Sequence, residues 1–163
     1  MTAFDPRALM RLLQQHEVRF LLIGGQAARA LGSPLMSYDL DVCYDRARDN
    51  LDRLAAALRE CHARLRGIEE DVPFVLDART LRNGDSFTFD TDFGPFDILA
   101  TPSGTRGYVD LLAGAQRMDL GGVLVDVVSL DDLLRMKRAA GRPKDRLAVE
   151  ELIALRDEMT EEP

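Results

Sequence analysis

Apolar and polar positions alternate along the chain with two periods. The opening segment carries Leu9, Met10, Leu12 and Leu13 on one helical face, with Asp5 as N-cap and Pro6 in the first turn. It predicts a helix from Asp5-Pro6 to near His16. Arg19 to Ile23 then reads as a strand whose apolar run, Phe20-Leu21-Leu22-Ile23, stops at Gly24-Gly25. A short helix is expected over Gln26–Leu31, a turn at Gly32-Ser33-Pro34, and a second strand over Asp39-Leu40-Asp41-Val42. Leu51, Leu54, Ala55, Leu58 and Cys61 recur at helical spacing, which predicts a long helix capped by Asp49 or Asn50.

Further on, 67–77 is expected to be a loop with room for a short helix. Asn83-Gly84 between Thr80-Leu81-Arg82 and Asp85–Asp90 predicts a two-residue hairpin. Phe96-Asp97-Ile98-Leu99 reads as a strand after a turn at Asp92–Pro95. Tyr108–Ala115 predicts a short helix, and Met118–Leu120, Gly121-Gly122 and Val123–Val128 a second hairpin. Ser129 caps a helix over Leu130–Ala140, broken at Gly141-Arg142-Pro143. A last helix runs from Lys144 or Asp145 to about Met159, with a frayed tail at 160–163. The expected fold class is α/β (α+β): a mixed sheet with flanking helices. The expected organisation is one domain over 1–163, a core over 17–129 and C-terminal helices over 130–159.

Composition changes this picture little. The chain has 163 residues, 46% of them hydrophobic and 30% charged, which fits one globular domain. A formal net charge of −7 argues against broad charge-driven nucleic-acid binding. Two cysteines, Cys43 and Cys61, with no Cys/His cluster, argue against zinc. Neither a signal-peptide pattern nor an apolar run of about 18 residues is present, so a cytoplasmic protein with no membrane partner is expected.

The chemistry concentrates in the stretch from Phe20 to Tyr44. Side chains alternate along a strand, so Asp39 and Asp41 face the same way. Two carboxylates on one side of a strand repel unless a cation or solvent separates them. Oxygen-only ligands favour Mg²⁺ or Mn²⁺. Gly24-Gly25 lets the backbone approach a ligand closely, and the helix behind it offers N–H groups to phosphate. Asp97, set between apolar neighbours, needs a partner of its own, such as the backbone or an arginine. Lys137, Arg138, Arg142 and Lys144 cluster at a helix end and turn, where cations also offset a helix dipole.

Gly24-Gly25, a helix, Gly32 and Ser37-x-Asp39-x-Asp41 together resemble the nucleotidyltransferase superfamily, with its DNA polymerase β-like fold. The resemblance is closest to the small AbiEii/MenT-type toxins of toxin–antitoxin pairs, and spans about 20–42, 95–99 and 107–152. It implies a metal site at Asp39, Asp41 and Asp97. It implies nucleotide contacts from Gly24, Gly25, Ser37, Lys137, Arg142, Lys144 and Asp145, with Lys137 offsetting charge on departing pyrophosphate. The implied activity moves an NMP from an NTP, ATP among the candidates, to an acceptor hydroxyl. In the toxin branch that acceptor is the 3′ end of tRNA and the partner an antitoxin protein. A small antibiotic or a protein hydroxyl suits the same core. Leu35 stands where the family pattern has Arg, which keeps open a non-catalytic nucleotide- or protein-binding module.

Overall fold

The computed structural model describes residues 3–68 and 73–161. Its centre is a seven-stranded mixed sheet in the order β3-β4-β5-β2-β1-β7-β6. The strands are β1 Phe20–Ile23, β2 Leu40–Tyr44, β3 Arg64–Leu65, β4 Ser86–Thr91, β5 Gly94–Leu99, β6 Gln116–Asp119 and β7 Leu124–Val127. The helices are α1 Pro6–Gln15, α2 Gly24–Ala30, α3 Arg48–Glu60, α4 Ala78–Asn83, α5 Tyr108–Leu112, α6 Leu130–Ala140 and α7 Pro143–Glu161. β1 and β2 are central, and Leu21, Leu22, Leu40 and Val42 have no solvent exposure. Each such side chain contributes about 1.5–3 kcal/mol by leaving water. α2 packs on β1, β2 and α6, and α6 packs on α7.

Caps set several boundaries. The Asp5 carboxylate accepts from Ala8 N at 3.1 Å and starts α1. Ser129 Oγ accepts from Asp132 N at 3.1 Å and starts α6. Gly141, at φ 63°, ends that helix in the left-handed region that glycine tolerates. The β6–β7 hairpin pairs Gln116 with Val127 through Asp119 with Leu124, as the apolar pattern around Gly121-Gly122 predicts.

Three expectations are corrected. The Asn83-Gly84 pair ends a helix and closes no hairpin. Asp77 caps α4 by accepting from Thr80 N at 2.8 Å, Leu81 is buried, and Gly84 sits at φ −114°. A Cβ on Gly84 would crowd the tip of the Phe87 ring, which would have to shift. The hairpin on this stretch is β4–β5, turning at Asp92-Phe93, where Thr91 Oγ1 donates to Gly94 O at 2.8 Å. Second, α3 starts after Ala47, and neither Asp49 nor Asn50 caps it. The buried Asn50 amide donates to Arg19 O and Asp45 O and accepts from Arg19 N, stitching the ends of β1 and β2. Third, the Gly-Gly pair forms the first turn of α2, with no loop before it, and Asp39 precedes β2, which extends to Tyr44. The loop expected over 67–77 lies partly outside the described residues, as does the tail at 160–163, though Thr160 is still helical. No helix among the described residues is long and apolar enough to cross a membrane.

Candidate active site

The sheet register builds the site. β2 pairs in parallel with β5, setting Asp41 beside Asp97, and β5 pairs with β4, setting Asp97 beside Thr88. On the other side, β1 sets Ile23 beside Asp41, so the Gly24 turn begins at the carboxylate row. The period-two alternation that buries Phe96 and Ile98 aims Asp97 the other way. Asp39, one residue before β2, completes the group. Asp39, Asp41 and Asp97 each offer a carboxylate oxygen, and these atoms lie within 4.8 Å of one another.

Such a group is electrostatically strained. Burial, reinforced by the charges of Asp39 and Asp97, pushes the Asp41 carboxyl up to about 7 from its ordinary 3.8. Asp97 is raised mainly by burial, with the Arg66 guanidinium opposing that rise. All-oxygen donors, close spacing and a carboxyl that resists ionising alone fit a hard divalent cation, whose charge would reverse both shifts.

Gly24 and Gly25 seat α2 against this row. Gly24 has φ +67°, and a Cβ on it would lie 2.2 Å from Asp41 Oδ2. A Cβ on Gly25 would lie 2.7 Å from Ser37 Oγ. Both positions therefore require glycine for close approach, and Gly24 for its backbone as well. Ser37 Oγ donates to Asp39 O at 3.2 Å, and Gln26 Nε2 donates to Ser37 O at 3.2 Å, fixing the strand entry.

The opposite wall comes from α6 and α7. Asp145, only 2% exposed, accepts from Arg142 Nε at 2.7 Å and from Lys137 Nζ at 3.4 Å. Arg142, and more weakly burial and Lys137, set its carboxyl, the net effect being a drop to about 2. Arg142 N also donates to it, closing the turn at 3.2 Å.

A cleft of about 780 Å³ joins the two walls and is lined by Gly24, Gly25, Ser37, Asp39, Asp41, Asp97, Lys137, Arg142 and Lys144. Every residue expected to contact nucleotide or metal lines it except Asp145, the shared counter-ion of Lys137 and Arg142. Arg138 is exposed and does not line it. Leu35 lines the cleft, 54% exposed, and its carbonyl accepts from Arg29 Nη1 at 3.2 Å. The sequence missed Arg66, which lies between Asp90 and Asp97. The one signal for it was the demand of Asp97 for a partner, with nothing to say which arginine.

No family model matches the sequence, and no curated protein matches it. Solved structures do. Lincosamide antibiotic adenylyltransferase LnuA, solved with lincomycin bound, superposes with a TM-score of 0.61 at 13% identity, covering 91% of this chain and 94% of that one. The fold is that of the nucleotidyltransferases. ANT(2'')-Ia, solved with adenylyl-2''-tobramycin, gives 0.53 at 13% identity over 91% of both chains. A Thermotoga maritima protein assigned as a nucleotidyltransferase gives 0.51 at 16% identity, over 99% of this chain and 98% of that one. The nucleotidyltransferase fold thus rests on shape along nearly the whole chain, at identities that carry the fold alone.

Proposed function

We propose that the protein is a metal-dependent nucleotidyltransferase that moves an NMP from an NTP to an acceptor hydroxyl, releasing pyrophosphate. The observation that carries this reading is the cleft itself, with a carboxylate triad on one wall and three cations on the other. Asp39, Asp41 and Asp97 would hold Mg²⁺ or Mn²⁺, which when bound supplies Lewis-acid charge to the phosphates. The N–H groups of the Gly24-Gly25 turn and Ser37 seat the β- and γ-phosphates. Asp97 faces the acceptor and takes the hydroxyl proton as the oxygen attacks the α-phosphorus. The bond from the α-phosphorus to the bridging oxygen breaks, and Lys137 neutralises the charge arriving on pyrophosphate. Asp145 holds Lys137 and Arg142 toward that end.

The acceptor follows from two lines of support. The resemblance to AbiEii/MenT-type toxins, with the exposed Arg142 and Lys144, favours a tRNA 3′ end and an antitoxin partner. The likeness to antibiotic adenylyltransferases favours a small hydroxyl compound. Incubating the protein with Mg²⁺, each α-labelled NTP, tRNA and a panel of small hydroxyl acceptors separates these by the species labelled. Pyrophosphate release should fall at least about 10³-fold in Asp41→Asn. Full activity in that variant would sink the reading. Metal-dependent NTP binding without release from the wild type would favour the non-catalytic module that Leu35 leaves open.

A further inference from the structure

Arg66 is built into the carboxylate wall from outside every motif. It follows β3, and its N–H donates to Thr88 O at 2.9 Å, extending the β3–β4 ladder by one residue. The side chain then crosses the sheet face into the cleft. Nη2 donates to Phe89 O at 2.7 Å and to Asp97 Oδ1 at 2.9 Å, and Nε donates to Asp90 Oδ1 at 3.3 Å. The guanidinium is one-third exposed and Asp97 16% exposed, so this contact is partly shielded from solvent. A fork held by a carbonyl and a second carboxylate has little freedom left, and the second N–H of Nη2 is spent on one oxygen of Asp97. That leaves Asp97 Oδ2 for the reacting centre.

We propose that Arg66 is a positioning residue of the transfer reaction, clamping Asp97 through Oδ1 while Asp90 and Phe89 O clamp Arg66. The inference rests on the nucleotidyltransferase reading above and deepens it. Arg66 is anchored on β4 and β5, whereas Lys137 and Arg142 are anchored on Asp145 of α7. Its role is therefore on the acceptor side: it orients the carboxylate that meets the attacking hydroxyl, and it leaves the triphosphate seat untouched.

The test compares Arg66→Gln, Arg66→Lys and Asp90→Asn with the wild type, using whichever acceptor the wild type labels. Arg66→Gln should lower kcat about 10–100-fold, the usual cost of losing a group that orients a metal-site ligand. KM for the NTP should stay within about twofold, and Mn²⁺ affinity read by electron paramagnetic resonance should not weaken. Arg66→Lys keeps the charge without the fork and should recover only part of kcat. Asp90→Asn should give a smaller loss, and the double variant Arg66→Gln/Asp90→Asn should lose no more than Arg66→Gln alone. Guanidinium ion added to Arg66→Ala should restore part of the rate. Should Arg66→Ala fail to fold, the Arg66→Lys and Asp90→Asn results decide. An NTP KM that rises in step with the loss of kcat would make Arg66 a phosphate contact and overturn the proposal. So would full activity in Arg66→Gln, or additive losses in the double variant. A wild type that binds Mn²⁺ and NTP but releases no pyrophosphate sinks the function reading itself, a result distinct from either.

Discussion

Asp41 and Asp145 are carboxylates on facing walls of one cleft, and their surroundings push them in opposite directions. Asp145 on α7 is enclosed by Arg142 and Lys137 and drops to about 2. Asp41 on β2 is enclosed by two other carboxylates and rises to about 7. The α6–α7 wall pairs its one buried carboxylate with two cations, and it presents surplus positive charge through Lys137, Arg142 and Lys144. The sheet wall is not neutralised: Arg66 pairs with one of three carboxylates, and the group could hold a metal ion. The difference separates a wall whose charge serves the fold from one whose charge serves a ligand. Buried like charges are expensive, and a fold keeps them where something binds.

Short of removing a carboxylate, the largest expected effect comes from breaking the sheet wall without touching a charge. Gly24→Ala puts a methyl 2.2 Å from Asp41 Oδ2 at φ +67°, so the carboxylate or the α2 turn must move. A displacement near 1 Å at a reacting centre costs about 10²-fold in rate. Pyrophosphate release should fall by at least that factor, and Mn²⁺ affinity should fall with it. Gly25→Ala meets Ser37 instead, so its loss should appear chiefly as a raised KM for the NTP. Equal Mn²⁺ affinity in Gly24→Ala and wild type would contradict the tight seating of α2 on Asp41.

The two walls were also unequally legible in the sequence. The facing of Asp41 and Asp97 could be read because a strand has period two, whereas the family resemblance, not the period, joined them with Asp39 as one site. The partner of Asp97 could not be read, because Arg66 reaches it across β4 from 31 residues away, and no local pattern encodes that register. On the other wall, Ser129 and Gly141 marked the ends of α6, and Lys137, Arg142, Lys144 and Asp145 fell together around the break. That Asp145 is buried, and so holds the cations without lining the cleft, depends on packing alone. The Asn83-Gly84 error has the same origin. A turn dipeptide is a local signal, and here the Asp77 cap and the buried Leu81 made a helix of the preceding residues.

The α6–α7 wall should respond to Asp145→Asn in stability first. The change leaves Arg142 and Lys137 without their counter-ion and weakens charge-assisted hydrogen bonds, at a cost of about 2 kcal/mol. The sign of its pH dependence is fixed by the depressed carboxyl. The folded chain holds Asp145 ionised down to about 2, against an ordinary value of 3.8, so its stabilisation is full above about pH 4. It is lost as pH falls toward 2, where wild type and variant should converge in denaturant unfolding. A gap that persisted unchanged at pH 2 would remove the charge argument and leave packing.

The metal-free sheet wall should show the opposite slope, and more weakly. Asp41 binds a proton up to about pH 7 in the folded chain but only up to about 4 when unfolded. Between those values the folded state holds more protons, so stability declines as pH rises through the window. Asp41→Asn removes that decline. The variant should match wild type below pH 4 and exceed it by about 1–2 kcal/mol above pH 7, after allowance for solvent screening. Added Mn²⁺ should reverse the order, because ionised carboxylates bind it and the wild type gains most where its carboxylates are charged. The stabilisation by metal should therefore grow as pH rises through 7 and be absent in Asp41→Asn. A wild type stabilised equally by metal at pH 5 and pH 8 would mean that the triad is not where the ion sits.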